Sequence, residues 1–246
     1  MARTIYVSLL GGFQIHISGG GSGGLPSGGK VAALFAYLAY DDRPHPRDVL
    51  ANLLWEERSE DQARSSLRQA LTAMRKLLPA GTVEADRDWV QLNNVVSDVA
   101  AFTAGLALGD ARGLTHAMGL YRGDLLEGFH VRANAFEHWL AAERQIIQTR
   151  AVDAVVALLE ATHDGAVADL HVPGALRILA QDNTHEPLHR ALMRHYATHG
   201  QSAAALRQYF HCRDALGREL GATPEPETED LYRHILRQDG ARRMVG

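Results

Sequence analysis

Three groups of residues have types and spacings that could do chemistry. His185-Glu186-Pro187-Leu188-His189 has the H-E-x-x-H spacing in which two imidazoles hold zinc and the glutamate serves as general base. His195 falls where a third ligand would stand. That arrangement needs the helix to break between His189 and His195, usually at a glycine, and Leu192 lies there instead. On one unbroken helix, His195 sits about 240° around from His189 and cannot share its metal. Pro187 also starts a helix better than it separates two ligands. Thirteen histidines make such coincidences frequent, and the i, i+4 pair His195 and His199 offers at most adventitious metal binding. Gly24 to Val31 has the G-x-x-x-x-G-K spacing of a phosphate-cradling loop. Its eighth position, which should hold Mg²⁺ through a hydroxyl, is Val31, and no further parallel strands follow. Neither enzyme reading holds, so the expectation is a chain that is not an enzyme and needs no cofactor or metal.

The third group is the stretch from Ser59 to Leu78. Ala63, Leu67, Ala70, Leu71, Met74 and Leu77 recur at helical spacing and define one stripe to be buried. Ser59 with Gln62 reads as a capping box that fixes the helix start. The opposite face carries Arg64, Ser65, Arg68, Gln69, Thr72, Arg75 and Lys76, and no acidic residue lies between Gln62 and Leu78. Arginine donors mixed with short hydroxyl and amide groups suit base edges flanked by two phosphate rails. A solvated helix face is the plain alternative. Arg64, Ser65, Arg68 and Gln69, in the first half of the helix, are expected at or near bases, and Thr72, Arg75 and Lys76 at phosphates.

The elements around this helix weigh against the plain reading. Thr4 to Leu10 and Phe13 to Ile17 are β-rich runs about Gly11-Gly12, a hairpin signal. A glycine-rich connection follows, then an apolar helix from Val31 to Tyr40. Pro46 suits the first position of a helix running to Trp55. After the cationic helix, Thr82 to Ala85 and Trp89 to Leu92 form a second hairpin around Asp86-Arg87-Asp88. Strands, two helices, a cationic third helix and a hairpin are the order of a winged helix-turn-helix, whose third helix enters the major groove. Arg87 at the wing tip is a candidate for the backbone or adjacent groove, with a solvated turn as the equal alternative. Trp55 and Trp89 are expected to pack around the helices.

Beyond Ser97 strand signals vanish. Helices are expected over Val99 to Leu108, Ala111 to Tyr121, Phe136 to Thr162, Gly174 to Gln181, Pro187 to His199, Ser202 to Leu220 and Glu227 to Arg237. Gly174-Ala175-Leu176-Arg177 is echoed by Ala204-Ala205-Leu206-Arg207. Tyr196, Gly200, Ala204, Tyr209 and Pro224 fall roughly at tetratricopeptide positions, although an ordinary bundle has similar periodicity. Trp139 and Phe136 are expected to bury within this helical part, and Cys212 to be a small, buried or half-buried helix residue. The fold class is therefore mainly α with small β-sheets. A winged helix-turn-helix domain over 1–96 precedes an all-α tetratricopeptide-like domain over 97–246.

The 246 residues carry a net charge of −4. Residues 1–96 hold ten basic and ten acidic groups, leaving fifteen and nineteen for 97–246, so the first part is neutral with one cationic helix. The longest apolar run, Val31 to Tyr40, is half a membrane span, and the N-terminus lacks the order of a signal peptide. The single cysteine excludes an internal disulfide and fits a reducing cytoplasm.

Leu9 to Phe13 (LLGGF), Leu53 to Trp55 (LLW) and Ala63 to Leu78 (ARSSLRQALTAMRKLL) resemble the Streptomyces antibiotic regulatory protein class. Tyr121 to Phe129 (YRGDLLEGF), Phe136 to Arg144 (FEHWLAAER) and His189 to Tyr232 resemble the bacterial transcriptional activator domain that follows in that class. The resemblance covers nearly the whole chain in the right order. It implies a cytoplasmic activator that binds tandem repeats in double-stranded promoter DNA and recruits RNA polymerase, with dimerisation on the repeats left open. The segment before the first helix, often basic in that class, is Ser27-Gly28-Gly29-Lys30 here, which limits phosphate contacts at that edge to Lys30. The alternative is a protein-interaction adaptor that uses the helical repeats and binds DNA weakly or not at all.

Overall fold

Alternation of buried and exposed residues starts the chain as a strand. In the computed structural model, which describes residues 3–19, 24–26, 28–161 and 170–245, Ile5 and Val7 of β1 (Ile5–Ser8) are buried and Tyr6 between them is half exposed. The expected hairpin forms: β1 pairs antiparallel with β2 (Gln14–Ile17) in the register Tyr6↔His16. Leading up to the wing come α1 (Lys30–Tyr40), β3 (His45–Pro46), α2 (Arg47–Trp55) and α3 (Glu60–Leu77). Then follow β4 (Val83–Ala85) and β5 (Trp89–Leu92), the second hairpin. A further strand, β6 (Val95–Ser97), lies parallel to β1 and makes the sheet order β2-β1-β6; the second sheet is β3-β5-β4. This is a winged helix-turn-helix.

Two strands depart from expectation. Pro46, expected to open α2, instead pairs with Trp89 as part of β3 and stands just before the helix. Its missing N–H is harmless there because β3 is an edge strand. β6 has three residues and a partner ninety positions away, so no local turn announces it. The glycine-rich connection expected before α1 lies partly outside the described residues, which also interrupt the loop-like spacing at position 27.

The helices after the wing are α4 (Asp98–Leu108), α5 (Ala111–Leu120), α6 (Asn134–Ala161), α7 (Val172–Gln181), α8 (Glu186–Thr198), α9 (Ser202–Glu219) and α10 (Pro226–Val245). They match the expected spans within a few residues, except that α10 runs further. By compactness the chain forms two units, one of Met1–Ala104 with Gly119–Ile147, the other of Gly105–Met118 with Gln148–Gly246.

In the first unit, a seam of main-chain bonds joins the N-terminal sheet to the segment after α5. Gly11 N–H donates to the Asp124 carbonyl at 2.9 Å, Leu126 N–H to Leu9 at 2.7 Å, and Glu127 N–H to Gly11 at 2.8 Å. Gly11 has φ +105°, which a side chain would resist. Asp98, the first residue of α4, accepts the Leu9 and Leu10 N–H groups at 2.8 and 3.1 Å. Aromatic rings continue the seam: Phe13 meets Phe129 edge-on at 5.8 Å, and Phe129 meets Phe136 at 6.1 Å. Trp139 then packs against Tyr37 and Tyr40 of α1 at 4.7 and 5.3 Å. Phe136 and Trp139 were expected inside the helical part, and this corrects the expectation: they pack in the winged-helix unit. Helical spacing told which face was apolar, and not what it would cover.

In the second unit, α4 and α5 cross glycine on glycine; a Cβ on Gly105 would stand 2.8 Å from the Gly113 carbonyl oxygen. Ala175 and Ala205, the small residues of the sequence echo, are both fully buried. Tyr209 stacks on Tyr232 at 4.1 Å and its hydroxyl donates to Glu229. Met193, Ala205, Tyr209 and Ile235 form a core between α8, α9 and α10. Glu186, the glutamate of the zinc-like motif, accepts from the Glu225 N–H and the Thr228 hydroxyl, while Arg190 binds Glu225 at 2.7 Å. His189 is buried, with Nε2 on the Asn183 carbonyl and Nδ1 on the Gln208 amide. The motif therefore ties helices together. Cys212 is fully buried in α9, and burial first, then Glu186, pushes its thiol up to about 12.

Asp98→Ala leaves two main-chain N–H groups without their acceptor and should cost about 1–3 kcal/mol for each, read as a lower denaturant midpoint. Burial lowers the His189 pKa below its ordinary value. The unfolded chain therefore takes this proton at a higher pH than the native chain, and stability falls as pH drops below about 6.5. In melts at stepped pH, the stability advantage of wild type over His189→Gln should shrink with acidification.

Candidate nucleic-acid interface

α3 separates its two faces cleanly. Ala63, Ser66, Leu67, Ala70, Leu71 and Met74 are buried against the unit, while Arg64, Arg68, Gln69, Thr72, Arg75 and Lys76 are exposed and Ser65 is half-buried. Leu77, placed in the buried stripe by its spacing, is 40% exposed, and Leu78 just past the helix is buried in its stead. Leu77 is the last residue of α3 and the chain leaves the helical path at Leu78, so the 3.6-residue period no longer decides which of the two is buried. Ser59 is the residue before the helix, with extended backbone, yet its side chain makes no capping bond. The capping box is therefore absent. Glu60 and Asp61 in the first turn, and Arg75 and Lys76 in the last, complement the helix dipole instead.

The turn before α3 is held from both sides. The Arg58 N–H reaches the Trp55 carbonyl at 3.0 Å, and the Arg58 guanidinium donates to the Ser66 hydroxyl at 2.8 Å. Glu56 accepts the N–H groups of Asn134 and Ala135 at 2.8 and 3.2 Å and so caps α6. Trp55 is buried, consistent with packing, and Trp89 is partly buried in β5. Lys30 pairs with Glu57 at 2.8 Å and lies over Trp55 at 5.7 Å, so the one cation expected to meet phosphate at that edge is already engaged.

Seven of the eight predicted residues fall into two adjoining depressions that share Arg68. Ser65, Arg68, Gln69, Thr72 and Lys76 line one along α3. Arg64, Arg68 and Arg87 line the other together with Arg47, Asp48, Asp86 and Asp88. Arg75, exposed on the same helix, lines neither. Among the described residues, Arg68, Arg75, Lys76 and Arg87 make no ion pair. Arg64 does: its Nε lies 3.1 Å from Asp48 and its Nη2 2.6 Å from Glu60. The Thr72 hydroxyl donates to the Arg68 carbonyl at 2.9 Å, so it must rotate before it can donate elsewhere.

Arg47 escaped the sequence reading. Its guanidinium donates to the Asp86 carbonyl at 3.1 Å and its main-chain N–H to the Asp88 carbonyl, fixing the wing turn to the start of α2. A basic residue directly after Pro46 was the available signal. Asp86 accepts the N–H groups of Asp88 and Trp89 at 2.7 and 2.9 Å, and these bonds hold its carboxyl below the usual range. The wing acid is thus a turn-former that presents Arg87.

Residues 88–236, more than half of the chain, match the model of the bacterial transcriptional activator domain. The chain belongs to that family. Proteins similar to it include the transcriptional regulatory protein MoaR1 of Mycobacterium tuberculosis, 24% identical over 100% of this chain and 83% of the relative. EmbR of Mycobacterium tuberculosis, another transcriptional regulatory protein, is 26% identical over 96% of this chain and 64% of its own length. The regulatory protein AfsR of Streptomyces griseus is 28% identical over 85% of this chain, which spans only 22% of AfsR. The solved structure of Mycobacterium tuberculosis EmbR in complex with a low affinity phosphopeptide superposes with a TM-score of 0.68 at 25% identity, covering 96% of this chain and 66% of that one. The chain is a transcriptional regulator, and the family is not one of enzymes. Among the described residues, no helix is long and apolar enough to cross a membrane.

Asp86→Ala should loosen the wing alone. Amide exchange at Asp88 and Trp89 should quicken while the melting temperature of the whole chain stays within a degree or so, because the turn is exposed.

Proposed function

We propose that the protein is a sequence-specific activator that reads double-stranded promoter DNA with α3. The observation that carries this reading is the stripe of Arg68, Gln69, Arg75 and Lys76, exposed and without ion pairs, on the helix that a winged helix presents to the major groove. Arg64, Ser65, Arg68 and Gln69 take base edges or their neighbours. Thr72, Arg75 and Lys76 take phosphates, and Arg87 takes the backbone beside the wing. Residues 1–96 carry DNA reading, and 97–246 carry the activating function, recruiting RNA polymerase in the cytoplasm. Binding to tandem repeats leaves room for two copies side by side.

A gel-shift titration on DNA upstream of the protein's own and neighbouring genes, at two salt concentrations, tests the reading. A discrete, salt-sensitive shift that Arg64→Ala/Arg68→Ala abolishes is the expected result. Arg68→Ala alone should cost about 1–3 kcal/mol on the preferred sequence and relax preference. Lys76→Ala should weaken all duplexes about evenly and lower the salt slope by about one. No shift from folded protein would instead favour an adaptor that acts through its helical repeats.

A further inference from the structure

Arg64 differs from the other cations of α3 because two carboxylates hold it before any ligand arrives. Asp48, in the first turn of α2, meets its Nε at 3.1 Å, and Glu60, one helical turn back, meets its Nη2 at 2.6 Å. Nε and Nη2 form the side edge of the guanidinium. The Nε–H is donated to Asp48, which engages that edge, and one Nη1 hydrogen with the Nη2 hydrogen facing it forms the end-on fork. That fork is one of the two guanidinium edges able to pair with guanine O6 and N7 in the major groove, and the one that Asp48 leaves open. Among the described residues, neither carboxylate is committed elsewhere by a hydrogen bond or ion pair.

We infer that Asp48 and Glu60 are positioning residues that aim the end-on fork of Arg64 at a guanine. The inference rests on the reading of α3 as the DNA-facing helix. Arg68, one turn further on, has no such partners and stays free to turn towards base or phosphate. The two acids have a second consequence. They surround one positive charge with two negative ones at the surface nearest the phosphates, so Arg64 adds little general attraction for DNA. Its contribution is concentrated in the one geometry where the guanine edge replaces water at the fork. Asp48 and Glu60 therefore trade non-specific affinity for discrimination, a repulsive element working beside an attractive one.

Selection from a randomised duplex library with wild-type protein, followed by titration of the selected duplex and of the unselected pool, tests this. Wild type should enrich a site containing a guanine whose exchange for adenine weakens binding about tenfold. Arg64→Ala should erase discrimination at that base. Asp48→Asn/Glu60→Gln should still bind, lose most of the discrimination at that base alone, and bind the unselected pool several-fold more tightly. Adding the acid changes to Arg64→Ala should alter guanine discrimination no further, since the acids act through Arg64. Unchanged guanine discrimination in the acid variant, or an equal loss at every position, overturns the inference and leaves DNA reading intact. Failure of wild type to enrich any sequence, or binding indifferent to salt, overturns DNA reading and the inference with it.

Discussion

The first unit depends on a main-chain splice. Leu9 and Gly11 on one side, and Asp124, Leu126 and Glu127 on the other, exchange three hydrogen bonds of 2.7–2.9 Å, with Leu10 bridged to Leu125 and Asp98 holding two more N–H groups. Buried main-chain groups must find partners, and here each segment supplies what the other lacks. Leu126 shows how firmly the join is set: it stands at φ +52°, where a leucine is disfavoured, with its carbonyl bound by Arg144 at 2.7 Å. The two stretches that carry the family resemblance at opposite ends of this unit, LLGGF and YRGDLLEGF, are the two halves of the splice.

On this foundation α3 is rigid on one face and chemically available on the other. Its buried residues lock the helix through packing, and Arg58 and Ser66 lock the turn before it. Among the described residues, Arg68, Arg75 and Lys76 on its exposed face make no ion pair, whereas Arg64 does. The wing is set by the same economy of bonds, with Asp86 closing the turn and Arg47 fastening it to α2. Carboxylates at this surface look unfavourable for an anionic ligand, but Asp48, Glu60 and Asp86 each satisfy a cation or main-chain donor in the same region.

Much of this was legible in the sequence wherever the signal is local. Helical periodicity placed every described helix, and short β-rich runs about glycine or aspartate placed both hairpins. The polar face of α3 was readable because one element supplies all its residues. What failed was non-local or terminal. β6 and β3 have three and two residues and are defined only by distant partners. Leu77 and Ser59 sit at helix ends, where period and capping pattern give way to the path of the chain. Phe136 and Trp139 were recognised as core, but which core depends on the splice, and no spacing rule reaches across it. Arg47 became visible only once Asp86 and Asp88 stood beside it.

The splice also has a consequence for the order in which the chain leaves the ribosome. The segments that would form α1, α2, α3 and the wing emerge first, yet the sheet beneath them lacks its partner until residues 124–127 have been made. Tyr37 and Tyr40 wait longer still, for Trp139. Translation is slow beside helix and hairpin formation, so the nascent winged helix spends seconds with its apolar floor uncovered. A message broken off after the wing would yield a polypeptide with α3 and without the floor that the later segment supplies. More than half of the protein must exist before its first third can finish folding.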